Sequence, residues 1–229
     1  MNVTSPLVVF DLDGTLIDTA PDLVASLNHT IAAAGLAPVG YEDLTFLVGN
    51  GAKMMIEKAF VLREKPLNAE DLPHLLERFI THYSASMPGE SRPYPGLVDA
   101  LERLKTSGFR LAVCTNKIES LAVTLIERLQ LTHHFATITG GDTFPVRKPD
   151  ARHLLGTVER AGADPRRTVM IGDSINDIMV ARNAGVPSIA VPFGYSDVAV
   201  DSLGPNHVIG HFDELTPALV EGLLQRQAA

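Results

Sequence analysis

The sequence predicts an α/β fold: a mostly parallel sheet with helices packed on it, and an all-helical unit inserted after the first strand. Two observations carry this. From residue 97 onward, short apolar runs alternate with amphipathic segments, the pattern of right-handed β-α-β units. Before that, residues 17–92 hold several helical periodicities and no convincing strand. That is far more chain than the ~12–15 residues a structureless loop inside a compact domain tolerates. The expected division is a core of residues 1–16 and 93–229 and a helical insert of residues 17–92.

The first strand is Leu7-Val8-Val9-Phe10, an apolar run that reads as buried on both faces. It ends in Asp11 and Asp13, two positions apart, and then Gly14. Strand alternation puts both acids on one side, at the carboxyl end where parallel α/β sheets bind ligands. Two acids that close resist joint ionisation unless a cation or a shared proton relieves them. The same run also reads as a strand entering an Asp-Gly turn, with both acids solvated.

Pro21 marks a helix start, with Leu23, Val24, Leu27 and Ile31 at helical spacing and Gly35 as the stop. Further helices are expected over 52–63 and 71–84, with a loop over 47–51 between the first two. Pro93-Tyr94-Pro95-Gly96 returns the chain to the core. Helices are then expected over 97–107, 120–129, up to about Ala161, and up to Gly185; strands over 109–114, 135–139, 168–171 and 188–191. The tail from Gln225 onward reads as loose.

The 229 residues carry a net charge of −8 and no Lys/Arg run, which argues against nucleic acid as a partner. No apolar run approaches the ~18 residues of a membrane span, and no basic segment followed by an apolar stretch marks a secretory signal. The single cysteine, Cys114, suits a reducing cytoplasm and reads as a small core residue. The histidines, including the pair His133-His134, show no zinc spacing and read as surface or loop residues.

Polar residues gather where strands end: Asp11 and Asp13, then Thr115 and Asn116, then Lys148 in the loop after the third strand, then Asp173 and Asp177. Each has a plain reading. Thr115 and Asn116 suit a turn, Ser174 with Asp177 suits a capping box, and Lys148 suits the surface. Their convergence on one edge of a parallel sheet favours chemistry instead. The inventory suits phosphoryl transfer. A carboxylate can attack phosphorus, and Mg²⁺ held by Asp11 and Asp173 would offset the charge. Lys148 would neutralise more, and Thr115 and Asn116 would donate to phosphate oxygens. Asp13 remains as the proton carrier.

Asp11-Leu-Asp-Gly-Thr, Thr115-Asn116, Lys148-Pro149 and Gly172-Asp-Ser-Ile-Asn-Asp177 resemble the four motifs of the haloacid dehalogenase superfamily, in their usual order. The resemblance implies a Rossmann-like core with a helical cap. It makes Asp11 the nucleophile and Asp13 the general acid/base. Mg²⁺ would sit on Asp11, the backbone carbonyl of Asp13, and Asp173; Asp177 would bind a metal water or lock the loop. The acid at position 13 suits phosphatases, since dehalogenase members lack it.

Within the superfamily the chain is most similar to the phosphoglycolate phosphatases, through residues 48–52, 115–117, 140–150, 172–178 and Phe193-Gly-Tyr195. Ile175 departs from the basic residue many relatives carry there. The similarity implies hydrolysis of a small phosphomonoester, 2-phosphoglycolate; charge and the lack of a long apolar run speak against nucleic acid and membrane as partners, and the oligomeric state stays open. The cap would set the substrate. Gly49, Asn50 and Lys53 are candidates to reach its carboxylate, although the same stretch reads as an ordinary helix-start loop. A β-phosphoglucomutase, a pyrophosphatase or a nucleotidase would share the core motifs. A receiver-like signalling module also uses acids, a Thr and a Lys at strand ends, but on different strands and without a cap.

Overall fold

The computed structural model describes residues 5–49 and 51–227. In chain order, β1 (Leu7–Phe10) leads to β2 (Ile17–Asp18), α1 (Ala20–Ala32), α2 (Leu44–Leu47), α3 (Ala52–Leu62), α4 (Leu72–Ser86) and β3 (Arg92–Pro93). Then come α5 (Leu97–Thr106), β4 (Arg110–Cys114), α6 (Glu119–Arg128), β5 (Thr137–Thr139) and α7 (Ala151–Arg160). The chain closes with β6 (Thr168–Gly172), α8 (Ile175–Ala184), β7 (Ser188–Ala190), β8 (His207–Val208) and α9 (Pro217–Gln227).

Six strands form one parallel sheet in the order β5-β4-β1-β6-β7-β8. Leu7 pairs with Arg110 on one side and Thr168 on the other, so β1 is central and apolar throughout. Alternation divides its side chains. Leu7 and Val9 pack with Leu154, Val158, Val180 and Ala181 of α7 and α8. Val8 and Phe10 pack into the cluster that holds α5 and α6. Each such side chain, fully buried, contributes about 1.5–3 kcal/mol. The expected α/β architecture is what the chain adopts.

The segment between β2 and β3 is helical. Pro21 sits in the first turn of α1, and Gly35, with φ +71°, reverses the chain after it. α1 packs on α4 and α3 through Leu27, Ile31, Ile56, Phe60 and Phe79, in one cluster continuous with the core. Four short features were not expected. β2 and β3 pair antiparallel, Ile17 with Pro93 and Asp18 with Arg92, so the boundaries expected at 16/17 and 92/93 fall in a two-stranded ribbon. α2 and β8 are likewise additions. The two residues of β2, β3 and β8 define no period, and the four of α2 make barely one helical turn. The tail over 225–227 is helical rather than loose, because α9 is anchored by buried Val220, Leu223 and Leu224. His134 and His153 are buried, not surface residues. Cys114 lies in the core, its thiol pushed up to about 11 by burial. Among the described residues no helix is long and apolar enough to cross a membrane.

Candidate active site

β1 passes directly into Asp11, whose N–H donates to the Ile171 carbonyl at 2.9 Å and holds it level with the end of β6. Gly14, at φ +81°, then turns the chain, and the N–H groups of Leu16 and Ile17 close onto the Leu12 carbonyl. A Cβ at position 14 would stand 2.6 Å from Asp173 Oδ2, so this turn admits only glycine. The Asp-Gly turn exists, but Asp11 is buried within it rather than solvated.

Three buried carboxylates meet here. Asp11, Asp173 and Asp177 each bring an oxygen within 4.8 Å of the others. Lys148, also buried, stands between two of them, 2.7 Å from Asp11 Oδ1 and 2.6 Å from Asp177 Oδ1. Burial alone would lower the Lys148 ammonium, but Asp11 and Asp177 outweigh it and hold it above the usual lysine range. Burial, then the Asp177 charge, pushes Asp11 up; burial, then Asp177 and Asp11, pushes Asp173 up.

Asp177 Oδ2 accepts from Ser174 N at 3.0 Å and Ser174 Oγ at 2.6 Å, completing the capping box of α8. Both its oxygens are therefore committed within the protein, one to the helix start and one to Lys148. Asp173 is braced differently: Oδ1 accepts from Thr15 Oγ1 at 2.7 Å and Oδ2 from Tyr195 N at 2.8 Å.

Asp13 opens on the same cavity as Asp11, which Gly49, Gly51, Thr115 and Asn116 also line. It accepts from Thr19 Oγ1 at 2.7 Å and pairs with Lys117 Nζ at 2.9 Å. Lys117 Nζ lies 4.4 Å from the centre of the Tyr83 ring, which projects from α4. Burial alone would lower the Lys117 ammonium; Asp13 and Tyr83 raise it overall.

Not every expected residue takes the expected position. Thr115 lines the cavity, its Oγ1 accepting from Lys117 N at 3.2 Å. The Asn116 amide donates to the carbonyls of Lys148 at 3.2 Å and Gly49 at 3.4 Å, so its N–H groups tether two loops instead of facing a ligand. Gly49 lines the cavity and is also held by Asn176 Nδ2 at 3.2 Å. Lys53 does not reach the site. Its side chain is 60% exposed, faces Glu57 at 3.9 Å, and lines a separate surface groove of the helical segment. Asn50 lies outside the described residues. Lys117, Thr15, Thr19 and Tyr195 went unassigned. The signal for Lys117 was its place directly after Thr115-Asn116, in the turn that leaves β4.

The carboxylate cluster fits a divalent cation. Asp11 Oδ1 is buried and takes only the Lys148 ion pair, with no hydrogen bond. One ammonium among three buried carboxylates leaves net negative charge on hard oxygen donors. Asp177 accepts three hydrogen bonds, from Lys148 and the α8 cap, whereas Asp173 accepts one on each oxygen and keeps a lone pair on each for a cation, as Asp11 does.

Comparison with known proteins agrees with this geometry. The haloacid dehalogenase-like hydrolase family matches residues 8–191. A phosphoglycolate phosphatase of Agrobacterium fabrum (strain C58) is 64% identical over 98% of this chain and 97% of its own. One from Mesorhizobium japonicum is 49% identical over 97% of this chain and 98% of its own. The crystal structure of a predicted phosphoglycolate phosphatase from Haemophilus somnus 129pt superposes with a TM-score of 0.87 at 28% identity, covering 94% of this chain and 98% of that one. The four strand-end motifs, the parallel sheet and these likenesses agree, and the chain belongs to the haloacid dehalogenase-like hydrolases and is a phosphatase of that family.

Proposed function

We propose that the chain hydrolyses 2-phosphoglycolate to glycolate and phosphate through an aspartyl-phosphate on Asp11. The observation that carries this is the pair of acids from one strand end, Asp11 against Lys148 and Asp13 against Lys117, opening on a single cavity. A carboxylate oxygen of Asp11 attacks phosphorus as the bond to the ester oxygen breaks. Asp13 gives its proton to the leaving alkoxide. It then takes a proton from the water that attacks the phosphoryl group, freeing phosphate and restoring Asp11. Lys148 aims Asp11 and offsets charge on the phosphoryl oxygens, and Thr115 donates to one of them. Asp177 locks the loop that carries Asp173.

Mg²⁺, held by Asp11, the Asp13 carbonyl and Asp173, would supply positive charge against the incoming phosphate. The substrate is supported by the names of the most similar relatives, the Agrobacterium and Mesorhizobium phosphoglycolate phosphatases. Residues 17–92 form a cap on the ribbon of β2 and β3 and exclude bulk water when closed. A single buried cysteine, with no second one to form a disulfide, suits a cytoplasmic setting.

Asp11→Asn tests the covalent step. The variant should keep a native circular dichroism spectrum and lose turnover of 2-phosphoglycolate in Mg²⁺. Near-normal turnover would remove Asp11 as the nucleophile.

A further inference from the structure

The cavity beside Asp11 and Asp13 is walled largely by apolar side chains: Leu23, Val48, Met55 and Phe79 among them. Its free volume is about 30 Å³, small enough to favour a short organic part over a long one. Among the described residues that line it, Lys117 is the one cation. Neither of the other two lysines that sequence placed near the site lines this cavity. Lys148 is enclosed between Asp11 and Asp177, and Lys53 faces solvent. We propose that Lys117 is the subsite for a second anionic group on the substrate, and that it selects a short phosphomonoester bearing a carboxylate.

The inference rests on the 2-phosphoglycolate reading above and names the residue that recognises the carboxylate. For Asp13 to protonate the leaving oxygen, it must face the bond between phosphorus and the organic part. Lys117 Nζ lies 2.9 Å and 3.3 Å from the two Asp13 oxygens and faces the Tyr83 ring in the apolar-walled cavity, which Lys148 does not line, so it borders the organic part. A carboxylate entering this largely apolar space needs a cation partner, because an unpaired buried charge is expensive.

Lys117 can supply one by exchange. Its flexible stem lets the ammonium turn from Asp13 to the ligand, while Asp13 keeps its hydrogen bond from Thr19 Oγ1 at 2.7 Å. The Tyr83 ring, 4.4 Å away, continues to face the ammonium and ties the subsite to α4. Longer polyhydroxylated esters fare badly here, since their hydroxyls would meet Leu23, Met55 and Phe79 without partners.

The test compares kcat/KM for 2-phosphoglycolate with that for ethyl phosphate, which keeps the two-carbon length and lacks the carboxylate. Both are measured with the full chain in Mg²⁺. Wild type should prefer 2-phosphoglycolate by at least about 100-fold, and Lys117→Met should bring the ratio below about 5. An equal loss on both esters would make Lys117 a support for Asp13 alone and overturn the subsite. Calorimetry on Asp11→Asn protein needs no Lys117 variant, and should show 2-phosphoglycolate binding at least about 10-fold tighter than ethyl phosphate. Equal affinity, or equal wild-type rates, overturns the subsite and leaves the phosphatase reading standing. If wild type hydrolyses neither ester, the 2-phosphoglycolate reading falls and the subsite falls with it.

Discussion

At Lys148, burial and charge act in opposite directions. Desolvation disfavours its ammonium, yet Asp11 at 2.7 Å and Asp177 at 2.6 Å keep it charged. Lys148→Ala would leave the phosphoryl oxygens without this cation, a loss like that of an oxyanion-hole donor. We expect kcat to fall by about 10²–10³-fold, or ~2.7–4 kcal/mol. An effect within error would place the lysine outside the chemistry. The Lys148 loop is itself held by His153, whose Nδ1 accepts from Lys148 N at 3.1 Å. Burial, then the Lys148 charge, lowers His153 from 6.5 to about 4. The unfolded chain therefore binds the extra proton first. The stability this provides is complete above pH 6.5 and is lost as pH falls from 6.5 toward 4, by roughly 3 kcal/mol at most. His153→Leu should flatten that part of the pH profile in urea unfolding. At pH 7 it should lose about 1–3 kcal/mol for the orphaned Lys148 N–H. An unchanged slope would assign the pH dependence to another group.

Among the elements, the stretch after β7 links two regions that sequence keeps far apart. Gly194 passes so close to Asp173 that a Cβ would come 2.4 Å from the Asp173 Cβ. Tyr195 N then donates to Asp173 Oδ2. The Tyr195 hydroxyl accepts from Thr19 N at 2.7 Å and Ala20 N at 2.9 Å and donates to Asp18 Oδ1 at 2.6 Å. It thus satisfies N–H groups at the start of α1, where no side chain of the helix's own N-cap does so. Tyr195→Phe keeps the ring and the backbone bond to Asp173 but removes these three contacts. We expect about 1–3 kcal/mol of lost stability and faster amide exchange at Thr19 and Ala20. Unaltered exchange would show that the hydroxyl does not hold the helix start.

Across the whole molecule, the carboxylate cluster couples folding to metal. Three buried acids with one ammonium repel one another, so a cation that binds only the folded chain stabilises it by mass action, ~2.7 kcal/mol at 100 times its Kd. Thermal unfolding should shift upward with Mg²⁺ and return with a chelator. Asp173→Asn removes one of the repelling charges, and the Thr15 hydroxyl can turn to accept from the new amide. That variant should be at least as stable as wild type without metal and lose the Mg²⁺ shift. A shift of wild-type size would move the metal away from Asp173.

The sheet was legible because β1, β4 and β6 are apolar runs that end sharply in polar residues. Asp11, Asp13, Lys148, Asp173 and Asp177 were legible as a group because parallel strands deliver their ends to one edge. β2, β3 and β8 escaped because two residues define no period. Covalent order and periodicity alone determined the α/β core, the helical insert and the acids of the site. Only tertiary packing decided which cation serves which acid. Lys53 and Lys117 both adjoin the expected motifs, yet the fold turns the first to solvent and presses the second between Asp13 and Tyr83. Sequence spacing does not carry that difference, because it arises where the helical segment meets the sheet edge and the neighbours are distant in the chain.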